Sequence, residues 1–320
     1  MSIINGTSNP SLIRQEVYSN EMLTPLYPMV NADIFVRDIS DFRDGATYNL
    51  PKMGQASIYQ RSGSEDTRLD GVSTAMFQFT VTDFPESATA IERKTIEDSW
   101  IMPVLMGELI PNQQNAIKEY YETQIWKAQS AQTASDPNTI NGVAHRFVAS
   151  GSNQTLTVQD FARAKLALDT ANVPQEGRVA IISPYAAHQI ASLVTPVAQF
   201  NFNLDLQGVI EQGIRNNLKV NYQLHGFNIM VSNFLPVVTE TITAFGATTS
   251  VTSGNVNLFF SIANDQVKPF VRAWRRQLTS RMYIDDKKDL MEVYVTNGRF
   301  GYGCQRLQGL VCALTSTTVS

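Results

Sequence analysis

The chain has 320 residues, of which 43% are hydrophobic, 9% aromatic and two are cysteine, enough apolar material for one or two cores and against a disordered chain, a collagen-like repeat or a disulfide-stapled miniprotein. Its 25 Lys and Arg against 29 Asp and Glu leave a net charge of -4, without the basic excess by which dedicated nucleic-acid binders displace counterions from phosphate. The charged fraction of 17% is below the usual ~25% and fits a surface partly taken up by contacts with other copies.

Residues 1–44 carry scattered apolar side chains broken by Pro10, Pro25 and Pro28 and read as an arm. Met1 to Pro10 has neither a basic nor a long apolar region, so no secretory signal is expected, and the chain is placed in a cytoplasm. In residues 45–84, Ala46–Leu50 and Ala75–Thr82 read as strands, the second alternating Phe77, Phe79, Val81 with Gln78, Thr80, Thr82. Between them lies a polar stretch with Gly54, Gly63, Gly71 and the charges Arg61, Glu65, Asp66, Arg68 and Asp70. This is a long hairpin. Its few apolar residues cannot form a core, so residues about 50–76 are expected to order only against a neighbouring copy.

Residues 85–134 read as helical: a segment from Glu86 to Trp100 ended by Pro103, then a longer helix from Pro111 with Ile117, Tyr121, Ile125 and Ala128 on one face. The turn-rich stretch Ser135–Gln154 marks a boundary. An alternating pattern follows. Thr157 and Asp160 form a capping box for a helix with Phe161, Ala164, Leu168 and Ala171 inward; Arg178–Ser183 is a buried strand; Ser183-Pro184 opens a helix to about Leu193. Another helix is expected over Gly208–Asn216, and strands over Gly226–Ser232, Val256–Ile262 and Leu290–Thr296. The charge-free stretch Thr241–Asn264 is too rich in Thr, Ser, Asn and Gly for a membrane span.

Motifs for chemistry are weak. Gly301-Tyr302-Gly303-Cys304-Gln305-Arg306 starts like a dinucleotide fingerprint, but Arg306 replaces the third glycine and no βαβ unit can follow. Gly71-Val72-Ser73-Thr74-Ala75 approaches a nucleophile elbow in the wrong context, between a polar hairpin and a strand. Asp285 and Asp286 are adjacent and point apart on a strand; His145, His188 and His225 are far apart in sequence, and Cys304 and Cys312 read as buried thiols. No catalytic, cofactor-binding or metal residue is assigned, and no enzyme activity is expected. The one electrostatic feature is residues 268–288, with Lys268, Arg272, Arg275, Arg276, Arg281, Lys287 and Lys288 against Asp285 and Asp286. It reads as a strand edge meeting acidic surface on another copy, or as a nucleic-acid patch with Trp274 stacking.

The order of parts resembles the major capsid proteins of tailed double-stranded DNA bacteriophages, the Hong Kong 97-type fold. Leu166 through Asp169, Val173-Pro174, Arg178 and Ser183-Pro184 look like the helix, turn, strand and capped helix of that family's α/β domain. Val81 through Glu86, Trp100 and Ile117–Glu122 give a second match. The resemblance implies an α+β fold with an N-terminal arm (1–44), an extended β-hairpin loop (45–84), a peripheral domain with a long spine helix (85–154 and 286–320) and an α/β axial domain (155–285). It also implies a homo-oligomer of pentamers and hexamers in an icosahedral virion shell, assembled in the host cytoplasm around double-stranded DNA, with scaffolding, portal and decoration proteins as partners and no membrane. Candidate inter-subunit contacts are Arg61, Glu65, Asp66, Arg68, Asp70, Arg272, Arg275, Arg276 and Arg281. Some members crosslink a Lys to an Asn; Lys52 lies at the start of the hairpin, not near its tip, so that chemistry is not carried over. The alternatives are another virion protein, of tail or adhesin type, or an α/β enzyme holding an anion at the helix starts after Thr157 or Ser183.

Overall fold

A computed structural model describes residues 25–26, 32–40, 47–54, 56, 58–60, 63, 71, 74–99, 101–132, 139–193, 223–285 and 291–317. In chain order the elements are α1 (Ala32–Phe35), β1 (Arg37–Asp38), β2 (Thr47–Met53), β3 (Thr74–Thr80), β4 (Glu86–Ile91), α2 (Arg93–Asp98), α3 (Met102–Lys127), β5 (Thr139–Ile140), β6 (Val143–Ala144), β7 (Arg146–Val148), α4 (Val158–Thr170), β8 (Arg178–Ile182), α5 (Pro184–Leu193), β9 (Gln223–Leu224), β10 (Phe227–Val231), β11 (Val237–Ala244), β12 (Ala247–Ser261), β13 (Phe270–Asp285), β14 (Met291–Cys304) and β15 (Leu310–Ser316).

One sheet runs β7-β15-β12-β8-β10-β9, with β11 also paired to β12. Its central strands are apolar on both faces because both faces are covered. Ala180, Ile182, Phe259, Val311 and Ala313 meet Phe161, Ala164 and Leu168 of α4 on one side. Val179, Ile181, Leu258, Phe260, Leu310 and Cys312 meet Tyr121, Ile125 and Trp126 of α3 on the other. Aromatic side chains knit each core at near-perpendicular angles, as in Phe161 against Phe259 (5.1 Å, 89°) and Trp126 against Phe270 (5.5 Å, 83°). The turn between β11 and β12 places Phe245 (φ 52°) and Gly246 (φ 80°) in the left-handed region that a tight hairpin requires.

A second sheet has the order β1-β13-β14-β4. The first half of α3 packs beside it through Met102, with Met106, Leu109 and Ile110, against Ile91 and Tyr294. Gln113 fastens the two: its amide donates to the Tyr294 carbonyl (3.2 Å) and the Thr89 hydroxyl (3.1 Å), and its oxygen accepts from Thr296 (3.0 Å). Because α3 has 26 residues, roughly 39 Å at 1.5 Å per residue, one helix enters the cores of both sheets.

Several expectations are corrected. Glu86–Trp100 is not one helix: Glu86–Ile91 is strand β4 and only Arg93–Asp98 is helical. Pairing of β4 with β14, Glu86 opposite Asn297 through Ile91 opposite Glu292, overrides the helix preference of Glu and Ala. Pro103 opens α3, where a missing N–H costs nothing, and Pro111 lies within that helix instead of starting a new one. Of residues 50–76, Leu50–Met53 and Thr74–Met76 already pair in the hairpin ladder of the single chain. In the sheets themselves, β13 lies with β14 and β4, whereas β7 and β15 join β8 and β12. The expected helix over Gly208–Asn216 lies outside the described residues. The capping of α4 and α5, the β8 strand and the antiparallel pairing of Thr47–Met53 with Thr74–Thr80 match the sequence reading.

Candidate assembly surfaces

The hairpin β2/β3 pairs from Thr47 opposite Thr80 to Met53 opposite Thr74. Its root lies on the second sheet. Phe79 (3% exposed) and Val81 (2%) bury against Val271 and Ala273, with Tyr48, Phe77 and Ile39 around them. Gly301 and Gly303 of β14 form the floor: a Cβ at Gly301 would stand 2.9 Å from the Phe79 ring, the Thr80 carbonyl oxygen and the Val81 Cα. The dinucleotide-like glycines thus allow one backbone to lie close on another. Just past β3, Asp83 and Phe300 exchange backbone hydrogen bonds of 3.1 and 3.0 Å, and the Gly298 N–H donates to the Pro85 carbonyl at 3.2 Å. Away from the root the apolar side chains face solvent: Met53 is 82% exposed and Ile58 94%.

Beside the root is a groove of about 840 Å³ whose lining includes Arg37, Lys52, Gln305 and Arg306. Lys52 donates to the Gln305 carbonyl and lies 5.4 Å from the Phe77 ring centre. Arg37 Nη1 donates to Gln305 Oε1 at 3.2 Å. Burial holds the Lys52 ammonium below its usual pKa, against an opposing influence of Cys304 and with a lesser contribution from the repulsion of Arg306.

The basic strand β13 divides in two. Arg272 is engaged within its own chain: it contacts Asp33 and Asp38 and donates to the Tyr121 hydroxyl at 2.7 Å, while Tyr121 donates to Asp33 at 3.0 Å. Burial drives the Tyr121 phenol far above its ordinary range, outweighing the opposing pull of Arg272. This cluster pins the segment of α1 and β1 to α3 and β13. Arg275, Arg276 and Arg281 lie on the exposed stretch of the strand, Arg276 over the Phe84 ring (5.5 Å) and Arg281 over Tyr283 (5.9 Å). Among the described residues β13 has a strand on its outer side only at Val271 and Arg272, where β1 pairs. Arg61, Glu65, Asp66, Arg68 and Asp70 lie outside the described residues, as does Ser73.

The helix starts considered for an anion are filled by their own side chains. Asp160 accepts from the Thr157 N–H (2.9 Å) and the Ser150 N–H (3.1 Å), and Ser183 Oγ accepts from the Ala186 N–H (3.2 Å). His188 is exposed on α5. Cys304 and Cys312 are buried free thiols, pushed by burial up to about 12 and about 11. Among the described residues no group of three or more His, Cys, Asp or Glu is placed to hold a metal ion, and no helix is long and apolar enough to cross a membrane. Sequence reasoning did not bring Arg37, Lys52 and Arg306 together, because nothing in their local sequence signals that β1, β2 and the turn after β14 converge.

The fold recurs in solved phage capsids. The capsid of cyanophage P-SCSP1u is 17% identical, with 95% of this chain and 93% of that chain covered and a TM-score of 0.69. A chain of Mycobacterium phage Che8 is 14% identical, covering 94% and 97%, with a TM-score of 0.68. The mature capsid of bacteriophage PhiM1 is also 14% identical, covering 96% and 93%, with a TM-score of 0.68. No curated protein matches the sequence. The family model described as phage capsid protein matches residues 77–313. That span runs from the inner strand of the hairpin through both sheets to β15, most of the architecture described above, and the chain therefore belongs to the phage capsid protein family.

Proposed function

We propose that this capsid protein is the building block of an icosahedral shell, its copies joining as pentamers and hexamers around double-stranded DNA. The observation that carries the reading is the hairpin β2/β3, anchored at its root and exposing Met53 and Ile58 beyond it, exposed apolar surface of the kind that contact with another copy covers. The arm (1–44) and extended loop (45–84) are contact segments; the β1-β13-β14-β4 sheet with α3 forms the peripheral unit, and the larger sheet with α4 and α5 the axial unit. The role is structural and non-enzymatic, in the virion, after assembly in the host cytoplasm with scaffolding, portal and decoration proteins as partners. The exposed arginines Arg275, Arg276 and Arg281, together with the hairpin charges Arg61, Glu65, Asp66, Arg68 and Asp70, are the proposed contacts between copies. Arg272 serves the subunit's own fold.

The test is electron microscopy and light scattering of the expressed chain, alone and with co-expressed scaffold. Closed shells or five- and six-membered rings are the expected result. A protein that stays monomeric under every salt, crowding and scaffold condition overturns the reading. Deleting residues 56–70 should leave circular dichroism of the subunit nearly unchanged and abolish stable shells.

A further inference from the structure

Three Asn-Gly pairs occur in the chain: Asn5-Gly6, Asn141-Gly142 and Asn297-Gly298. The first lies outside the described residues. In such a pair the glycine has no Cβ, which leaves its backbone nitrogen open to the side-chain amide of the preceding asparagine. The other two pairs stand in opposite circumstances. Asn297 is 8% exposed and lies in β14, opposite Thr279 of β13 on one side and Glu86 of β4 on the other. The Gly298 N–H is already donated to the Pro85 carbonyl at 3.2 Å. Freeing that nitrogen requires a central strand to open, which in a folded subunit approaches global unfolding.

Asn141 and Gly142 are both exposed and form the turn between β5 and β6, with φ of 51° and 81°, the conformation in which Asn-Gly closes a tight hairpin. Each of these strands has two residues, and among the described residues they pair only with each other. The Gly142 N–H has no backbone hydrogen-bond partner among the described residues. One bond holds the asparagine side chain: its Nδ2 donates to the Thr170 carbonyl at 2.9 Å. Thr170 is the last residue of α4, where helix carbonyls have no donor of their own helix, so Asn141 caps that helix from outside. A single exposed hydrogen bond slows the release of the side chain by roughly tenfold at most.

We propose that Asn141 is a site of spontaneous, one-way deamidation that unfastens the β5/β6 turn from the end of α4. The Gly142 nitrogen gives its proton to water and bonds to Asn141 Cγ, and the side-chain nitrogen leaves as ammonia. Water then opens the five-membered imide. Breaking the bond from Cγ to the Gly142 nitrogen yields aspartate; breaking the bond from the Asn141 backbone carbonyl carbon to that nitrogen yields isoaspartate. Water is the sole co-reactant, and nothing is oxidised or reduced. Either product exchanges an amide donor for a carboxylate. The Thr170 carbonyl loses its partner, and the new charge stands at the negative end of the α4 dipole, which repels it. Each event adds one negative charge to a chain whose net charge is -4.

The test follows full-length subunits in mildly alkaline buffer, native and unfolded in urea, by peptide mapping with mass spectrometry and enzymatic detection of isoaspartate. The rate in urea is the intrinsic rate of each pair, and folding should slow Asn141 by no more than about tenfold but Asn297 by at least a hundredfold. Comparable slowing of the two overturns the proposal, as does a hundredfold slowing of Asn141. Asn141→Asp supplies a readout that does not wait for the chemistry. Aspartate tolerates the left-handed turn position as asparagine does, so the variant isolates the lost donor and the added charge. Hydrogen exchange of the backbone amides over residues 139–144 and in the last turn of α4 should be at least threefold faster than in wild type, with the central strands unchanged. Exchange at the wild-type rate in both segments overturns the claim that deamidation unfastens the turn.

Discussion

Gly301→Ala should destabilise the subunit and misdirect its hairpin. The added methyl would meet three atoms at 2.9 Å, and two of them, the Thr80 oxygen and the Val81 Cα, are backbone. A flexible side chain could step aside; this segment cannot do so easily, because the Asp83 and Phe300 backbone bonds tie it to the same strand only a few residues away. Relief therefore requires lifting the hairpin root from β14 and opening the contact of Phe79 and Val81 with Val271 and Ala273. Overpacking of this kind costs about 1–3 kcal/mol, and the involvement of backbone places Gly301 toward the upper figure. Gly107 is the internal control. It lies in α3 with nothing within 4 Å of a new Cβ, so Gly107→Ala should add roughly 0.5–1 kcal/mol through lower backbone entropy in the unfolded chain. Urea unfolding of isolated subunits, followed by circular dichroism, reads both changes as opposite shifts of the midpoint. A Gly301→Ala subunit within 0.5 kcal/mol of wild type, or a pair of shifts with the same sign, would refute the argument that the glycine is a seat for the hairpin.

Two further expectations concern buried groups. Arg146 is almost fully buried (1% exposed) and makes two 2.8 Å bonds to Glu240, itself 27% exposed; Glu240→Ala should lower stability by about 3 kcal/mol, near the small end for breaking a buried pair since water can reach the vacated side, and a urea-derived loss under 1 kcal/mol would contradict this. Because burial raises Cys304 to about 12 and Cys312 to about 11 from an ordinary thiol value of 9.0, the stability tied to their protonated thiols is complete below pH 9 and fades as the pH rises from 9 toward 12; native subunits should resist iodoacetamide at pH 8, and labelling as fast as in the unfolded chain would show the thiols are accessible.

Local signals carried much of the α/β region. The Thr157 and Asp160 pair, the Ser183-Pro184 opening and the apolar run Arg178–Ile182 are determined by neighbours in sequence, and each took the form its residues specify. Glu86–Ile91 shows where local reading fails. Its residues favour a helix in isolation, yet their alternating burial arises from β14, some two hundred residues away, and tertiary pairing prevails over a weak propensity. Strand β12 illustrates a milder version: its buried half, Val256–Ser261, was visible as an apolar run, but its first half is mostly polar and largely exposed and is a strand because β11 folds back on it through the Phe245-Gly246 turn.

The assembly surfaces were legible only in part, and the difference lies in what gathers their charges. The arginines of β13 are close in sequence, so a count along the chain finds them; that count cannot tell that Arg272 is consumed by Asp33, Asp38 and Tyr121 while Arg275, Arg276 and Arg281 lie on an exposed strand. Partner geometry, not charge, separates a residue tied into the subunit's ion pairs from one on its exposed surface. The groove at the hairpin root inverts the case. Arg37, Lys52 and Arg306 are isolated cations in sequence, and they meet because β1 pairs with β13, β13 with β14, and the hairpin lies across β14 on its glycines. Each of those three contacts is satisfied by apolar burial or backbone hydrogen bonds and none needs the cations. Gln305 then meets two of them, accepting from Lys52 on its carbonyl and from Arg37 on its side-chain oxygen, so the convergence of these cations is a consequence of strand pairing that no local stretch of sequence encodes.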